Sequence, residues 1–440
     1  MRISTILKYI FILIIMVILG MFLLIVTANI SKESIEENVK ESAQILLEEG
    51  DSKMTPSFVW NSKYQNDKVF QHNHTDAIMI NIVYSVDTNN ILEGIMKARR
   101  NYIPGVTQTI HKDTNGNLMF YGNFSMPNEL LLTVNKNPEI PSYEYARYWH
   151  GYMVILRPLL VFFNITQIRV ILFAILGFLI FLLILKIFRK FNIILGILVL
   201  LAFVGMNFFA WGAVIQGMLV MIIALFVTVL VAYGIIDDLN INMALFITGI
   251  CTAFFDFLTT PLITFLFPVL IYNLFDEEDR TVKDTIMNLI SYGFAWGCGY
   301  VLFWGVKWLL MDAMYNTNIL SLSFEQIIFR IKGTTAGGIS KNIGAKALNN
   351  NIDMCFNLVC LSVIIIGIVM FIINVIRYGK VYLQDTKKIV YCVCIVLPIL
   401  WMVIFANHSA QHYHFTYPTL LISVLGVLLL GTTKNLKKNR

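Results

Sequence analysis

Residues 6–30 read ILKYIFILIIMVILGMFLLIVTANI, and residues 168–188 read IRVILFAILGFLIFLLILKIF. Each supplies the roughly 20 consecutive, predominantly apolar residues that carry an α-helix across the hydrocarbon core of a bilayer. Working outward from these two, the same length criterion gives about ten such segments. They fall near residues 6–28, 167–187, 191–209, 213–235, 241–257, 259–275, 286–310, 354–376, 389–406 and 415–432. The sequence therefore predicts an all-α polytopic membrane protein. The two segments flanking Asp256-Phe-Leu-Thr-Thr260 are short and read either as two tilted spans or as one re-entrant hairpin.

Composition agrees. The 440 residues are 57% hydrophobic and 14% charged, against roughly 25% charged in a soluble domain. Lys and Arg favour the cytoplasmic side of short loops. With the N-terminus inside, that side collects Arg2, Lys8, Lys186, Arg189, Lys190, Arg280, Lys283, Arg377, Lys380, Lys387, Lys388 and the basic tail from Lys434 to Arg440, while the short outer turns collect none. Both termini are expected in the cytoplasm of a multi-pass cell-membrane protein. The net charge of +6 follows from this bias, and no nucleic-acid partner is expected. The first apolar run exceeds the roughly 7–15 residues of a signal-peptide core, so an uncleaved anchor is expected. All six cysteines fall in predicted spans, which leaves the outer loops without a disulfide framework.

The organisation that follows is an anchor (1–28), a large extracytoplasmic loop (29–166), a first part of the bundle (167–311), a second outer loop (312–353) and a C-terminal part of the bundle (354–440). The first loop is expected to be mixed but mainly helical. Ser34-Ile-Glu-Glu37 has the spacing of a capping box, with Ile35, Val39 and Leu46 on one helical face and Gly50 as the stop. Residues 77–84, AIMINIVY, are apolar enough to be buried as a helix or a strand. From Tyr143 the sequence predicts a long helix interrupted by Pro158, which puts Glu144, Arg147 and His150 on one face. An arginine fork beside an imidazole suits a phosphate, and a Glu144–Arg147 ion pair is the plainer alternative.

Other candidates sit at the outer ends of later spans. Arg330-Ile-Lys-Gly-Thr-Thr-Ala-Gly-Gly338 and Lys341 form a glycine-rich basic stretch that could cradle phosphate or serve as a linker. Ile339 stands where a Walker A motif needs Lys. Asn407, His408, His412 and His414 crowd one turn, and with His72, His74 and Asp76 they could hold a divalent metal such as zinc, although no specific zinc signature is present. Hydrogen bonding to a polar head group is the other reading. Asp256 is a carboxylate facing a cavity or a cap on Thr259 or Thr260. Trp296 and Trp304 read as packing or interface residues, and Lys307 as a snorkelling cation.

One span, a large first outer loop with helices along the membrane, and a bundle with polar outer turns together resemble the GT-C class of membrane glycosyltransferases. Thr75-Asp-Ala-Ile-Met-Ile-Asn81, Tyr145-Ala-Arg-Tyr-Trp-His-Gly-Tyr152, Arg157-Pro-Leu-Leu160, Phe255-Asp-Phe-Leu-Thr259 and Asn407-His-Ser409 also look like a largely uncharacterised family of Gram-positive bacterial membrane proteins. The GT-C resemblance implies a polyprenyl-phosphate-linked sugar donor, a cell-envelope glycan or lipid-linked acceptor, and an acidic base in the first outer loop. Asp76 is the best counterpart of that base, although many members carry an acidic pair soon after the first span. Arg147, His150 and Arg157 would then bind the donor phosphate. Asp256, Asn407, His408, His412 and His414 would contact the sugar or acceptor. A flippase for lipid-linked oligosaccharide, a metal-dependent hydrolase or phosphotransferase, and a non-catalytic sensor are the competing classes.

Overall fold

The computed structural model describes residues 3–49, 65–102, 109–112, 118–121, 126–136, 141–211, 214–257, 259–331, 334–335, 338–339, 342–355 and 357–432. The chain opens with α1 (Ile3–Ala28). A lobe follows, built from α2 (Lys32–Glu49), α3 (Gln65–Ser85), α4 (Ile91–Lys97), β1 (Arg99–Asn101), the hairpin of β2 (Thr109–Lys112) and β3 (Leu118–Tyr121), α5 (Met126–Val134), β4 (Ser142–Glu144) and α6 (Met153–Leu160). The first part of the bundle comprises α7 (Ile165–Lys190), α8 (Ile193–Gly205), short α9 (Phe208–Trp211), α10 (Ile215–Ala232), α11 (Ile241–Phe255), α12 (Pro261–Phe275) and α13 (Val282–Tyr315). Then come α14 (Ile319–Ile331), the two-residue strands β5 (Thr334–Thr335) and β6 (Gly338–Ile339), and α15 (Ile343–Cys355). The chain closes with α16 (Leu358–Tyr378), α17 (Lys380–Leu383), α18 (Lys387–Ile404), α19 (Ala406–Gln411), α20 (Tyr413–Thr416), a 3-10 turn and α21 (Leu420–Leu430).

Among the described residues, seven segments are long and apolar enough to cross a membrane: α1, α7, α10, α13, α16, α18 and the run from Tyr413 to Leu430. Helices α8, α11 and α12 are apolar but shorter, at 13, 15 and 15 residues. Apolar side chains cover the outside as well as the core. Ile10, Phe11, Ile14, Ile18 and Phe22 of α1, and Ile365, Ile368 and Ile372 of α16, are exposed, as lipid-facing helices require. Helix α12, by contrast, is buried from Pro261 to Leu274. Two glycines allow α11 and α13 to touch backbone to backbone. A Cβ on Gly249 would stand 2.2 Å from the Trp296 carbonyl oxygen, and one on Gly299 would stand 2.1 Å from that of Phe246.

The lobe covers one end of the bundle, where α7, α10 and α12 begin and α1 and α11 end. In α2 the predicted stripe is buried at Ile35, Val39 and Leu46. Its cap is Ser31 rather than Ser34, because the Ser31 hydroxyl accepts the Ser34 amide at 3.3 Å. Gly50 lies outside the described residues. The 77–84 run is helical, with Ala77, Met79, Ile80, Ile82 and Val83 all fully buried in α3.

The long helix expected from Tyr143 does not form. Residues Ser142–Glu144 pair antiparallel with β1, a loop covers 145–152, and α6 begins only at Met153. The cause is tertiary. Trp149 donates its indole N–H to the Phe303 carbonyl at 2.9 Å and Trp308 donates to that of Arg147 at 2.9 Å. A straight helix could not send its backbone and rings to those separate partners.

Candidate functional site

Asp76 is fully buried on α3, and its surroundings are those of an electrostatic lock. Arg169 of α7 donates to Asp76 Oδ2 from Nε at 3.1 Å and Nη2 at 2.9 Å, and the first amide of α10, Ile215, donates to Oδ1 at 3.1 Å. The same guanidinium holds Glu49 of α2 at 2.9 and 3.0 Å and the Asn73 side-chain oxygen at 3.1 Å. One arginine thus ties three helices together. Burial raises the Asp76 carboxyl to about 6 against the pull of Arg169. The side chain of His72 lies outside the described residues.

Arg157 is a second tie. It has no exposed surface, and its guanidinium donates to the Ile30 carbonyl at 2.6 and 3.1 Å and to that of Val83. All three nitrogens thus donate to backbone carbonyls, which accounts for the burial of this guanidinium without a phosphate. Lys307 is likewise buried rather than snorkelling: its ammonium donates to the Met96 carbonyl at 2.7 Å and lies 5.5 Å from the Trp149 ring.

His150 adopts a left-handed backbone, φ 56°. Its Nε2 is 2.7 Å from the Tyr145 carbonyl and its Nδ1 is 3.0 Å from the Tyr152 hydroxyl. A carbonyl can only accept, so Nε2 carries the proton and Tyr152 donates to Nδ1. Burial holds this imidazole down at about 3, the Tyr145 carbonyl opposing and Lys307 assisting. Gly151 donates to the Phe254 carbonyl at 2.9 Å, and a Cβ there would meet that oxygen at 2.6 Å. The rings of Tyr145, Tyr148, His150 and Tyr152 all pack against Phe257. The 145–152 loop and the α11–α12 turn are therefore one unit. Arg147 is half-buried in that loop, and the expected Glu144 pair is absent, because Glu144 binds Lys97 at 3.2 Å and Arg99 at 3.4 Å.

That unit presents Asp256. The carboxylate accepts the Thr259 amide at 2.9 and 3.0 Å and the Thr259 hydroxyl. It is 2% exposed and has no ion-pair partner among the described residues. Burial raises it to about 6, opposed by hydrogen bonds from Thr259, Phe257 and Gln216. Nearby on α13 stand Tyr300 and Trp304, and Tyr148 packs edge-on against Trp304 with ring centroids 5.1 Å apart. Arg330 of α14 donates to the Tyr148 hydroxyl at 3.0 Å, and no carboxylate pairs with it among the described residues.

Asn407 positions that arginine, donating to the adjacent Phe329 carbonyl at 3.2 Å. Burial, with Arg330 nearby, holds the His412 imidazole at about 4. His74 is held at about 4 by burial, Arg100 and His412. Electrostatic proximity thus links His74 of the lobe to His412 beside α19, and His412 to Arg330 of α14. The His408 ring is tilted against that of His412 with centroids 5.0 Å apart, and His414 lies 6.0 Å from it. Among the described residues no three His, Cys, Asp or Glu side chains are grouped to hold a metal ion. Within the glycine-rich stretch, Gly333, Gly337 and Lys341 lie outside the described residues.

Comparison with known proteins finds no matching family model, no similar curated protein and no similar solved structure. The site is therefore defined by its own geometry. Asp256, Arg330 and Tyr148 lie near Tyr300, and Arg330 lies near His412, which in turn lies near His74, while Asp76 and Arg157 tie neighbouring elements together. Sequence reading missed Arg169, although a charge at the mouth of an apolar run was a usable signal. It set aside Trp304 as packing and did not single out Tyr300, although their four-residue spacing with Trp296 and Trp308 marks one face of α13.

Proposed function

We propose that this protein is a GT-C-like glycosyltransferase of the cell membrane, moving a sugar from a polyprenyl-phosphate-linked donor to a cell-envelope glycan or lipid-linked acceptor on the outer face. In this reading all ten apolar helices cross the bilayer, both termini are cytoplasmic, and the lobe and the residues around Asp256 and Arg330 are extracytoplasmic. The Lys and Arg distribution supports that sidedness. A small, mainly apolar pocket lined by Trp211, Val214, Met221, Phe415 and Tyr417 reaches Thr260 beside the Asp256 turn.

The observation that carries the proposal is a pair of unmatched charges: among the described residues Asp256 has no cation and Arg330 no anion, and both lie near Tyr300. Asp256 takes the proton of the acceptor hydroxyl as its oxygen bonds to the anomeric carbon. The bond from that carbon to the donor phosphate breaks, and Arg330 stabilises the departing polyprenyl phosphate. His74 and His412, neutral at physiological pH, offer hydrogen bonds to hydroxyls. Asp76 organises the scaffold through Arg169. The test is transfer from a polyprenyl-phosphate hexose by purified protein in nanodiscs. Asp256→Asn should abolish transfer while leaving the fold intact, and an active Asp256→Asn beside an inactive, folded Asp76→Asn would return the base role to Asp76.

A further inference from the structure

We propose that the Tyr300–Trp304 step of α13 is the subsite for the sugar ring, an assignment that rests on the glycosyl-transfer reading above. Trp296, Tyr300, Trp304 and Trp308 recur every four residues and form an aromatic ladder, with successive ring centroids 5.2, 6.3 and 5.7 Å apart. The outer rungs are satisfied. Trp296 donates to the Thr264 hydroxyl at 3.0 Å and Trp308 to the Arg147 carbonyl at 2.9 Å. The inner rungs are not: Tyr300 Oη and Trp304 Nε1 are buried with no hydrogen-bond partner among the described residues. The two atoms lie near one another without a hydrogen bond of acceptable geometry, and in either case the phenol proton has no acceptor.

A buried donor left unmatched is destabilising, so the Tyr300 phenol proton, with the Trp304 N–H beside it and Asp256 and Arg330 nearby, calls for a partner. Its chemistry follows from what the rungs offer. Aromatic walls accept a flat apolar face, and two neutral donors accept uncharged oxygens; a hexose ring supplies both. A phosphate belongs instead with Arg330. That arginine also explains access. In the structure Tyr148 stands against Trp304, held by Arg330 through a neutral phenol. A phosphate oxyanion competes better for a guanidinium than a phenol does, so donor binding draws Arg330 away and frees Tyr148 to admit the ring.

The experiment compares two probes, farnesyl-phosphate hexose and farnesyl phosphate, titrated into the full chain in phospholipid nanodiscs and read by tryptophan fluorescence. Tyr300→Phe and Trp304→Phe keep an aromatic ring but remove a donor. Each should weaken the sugar-bearing probe about tenfold and change farnesyl phosphate less than about twofold, with thermal midpoints near wild type. Arg330→Met should weaken both probes. Equal losses for both probes, no loss for either, or a wild-type protein that does not distinguish them would overturn the subsite. Sugar-dependent binding that needs Tyr300 and Trp304 in a protein without transfer activity would keep the subsite and sink the transferase.

Discussion

Asp76 and Asp256 are both buried at the lobe end of the bundle, and burial raises both carboxyls to about 6. Their partners differ. Asp76 is matched by a guanidinium and a helix amide that together join α3, α7 and α10. Asp256 receives neutral donors from its own turn, while the nearby cation, Arg330, is held by a neutral phenol. A buried charge with its counterion in place is spent on architecture, and one without a counterion is available for chemistry. Depth of burial alone does not separate the two roles; the first partner does.

The sharpest way to break this contrast is Asp256→Asn. Loss of a general base lowers transfer about 10²–10⁴-fold, measured as single-turnover sugar transfer, with a thermal midpoint at neutral pH no lower than wild type. Because Asp256 is raised to about 6, wild-type activity should climb as pH passes through about 6 and the carboxyl ionises. The stability sign is opposite. A carboxyl raised by folding contributes stability at pH below its ordinary value near 4 and loses it as pH rises through about 6. Activity and stability should therefore cross in that window, and the asparagine variant should lose Asp256's part of both slopes.

Asp76→Ala tests the other half. It leaves Arg169 facing only Glu49 and Asn73 in a buried site, and breaking one partner of a buried pair costs about 3–5 kcal/mol. The expected readout is a large drop in thermal midpoint, with activity lost in proportion to folded protein. Asp76→Leu combined with Arg169→Met should recover most of that stability and much of the activity. A stable but inactive double variant would move Asp76 into the chemistry.

How much of this was readable in advance follows from which interactions are local. Helices α7 and α13 could be placed because an apolar run of 20 residues means the same thing wherever it packs. The α2 stripe at Ile35, Val39 and Leu46 was legible for the same reason. The Tyr145–Tyr152 loop was not, because its shape is set by Phe303, Trp308 and Phe254, each more than 100 residues away. Arg157 looked like a phosphate ligand since the carbonyls that occupy it, Ile30 and Val83, carry no sequence signal: every residue has one. Asp256 was legible as a choice between cap and functional carboxylate, and the structure shows the cap, with Thr259 donating to it and Tyr300 nearby.

Arg157→Met should come next in size. Removing its donors leaves two buried carbonyls without their charged partner, worth about 2–4 kcal/mol at roughly 1.5–3 per charged hydrogen bond with partial relaxation. Thermal unfolding should report that loss while farnesyl phosphate affinity stays unchanged. A selective loss of phosphate affinity would restore Arg157 to the binding site. Gly151→Ala is expected to cost about 1–3 kcal/mol by overpacking against Phe254. Since Gly151 seats the loop on the Asp256 turn, turnover should fall further than stability does.

The smallest effect separates two accounts of residues 142–150. If β4 and the loop are right, Glu144 couples to Lys97 and not to Arg147. Its side chain is 42% exposed, so a double-mutant cycle of Glu144→Gln with Lys97→Met should give about 0.2–1 kcal/mol. The cycle of Glu144→Gln with Arg147→Met should give nothing measurable, because three residues of separation bring side chains together on a helix but not across a strand and a turn. A coupling found only in the second cycle would restore the continuous helix from Tyr143. That helix would lift Tyr145, Tyr148 and His150 away from Phe257, and the contrast between a locked Asp76 and an available Asp256 would lose the aromatic wall on which it stands.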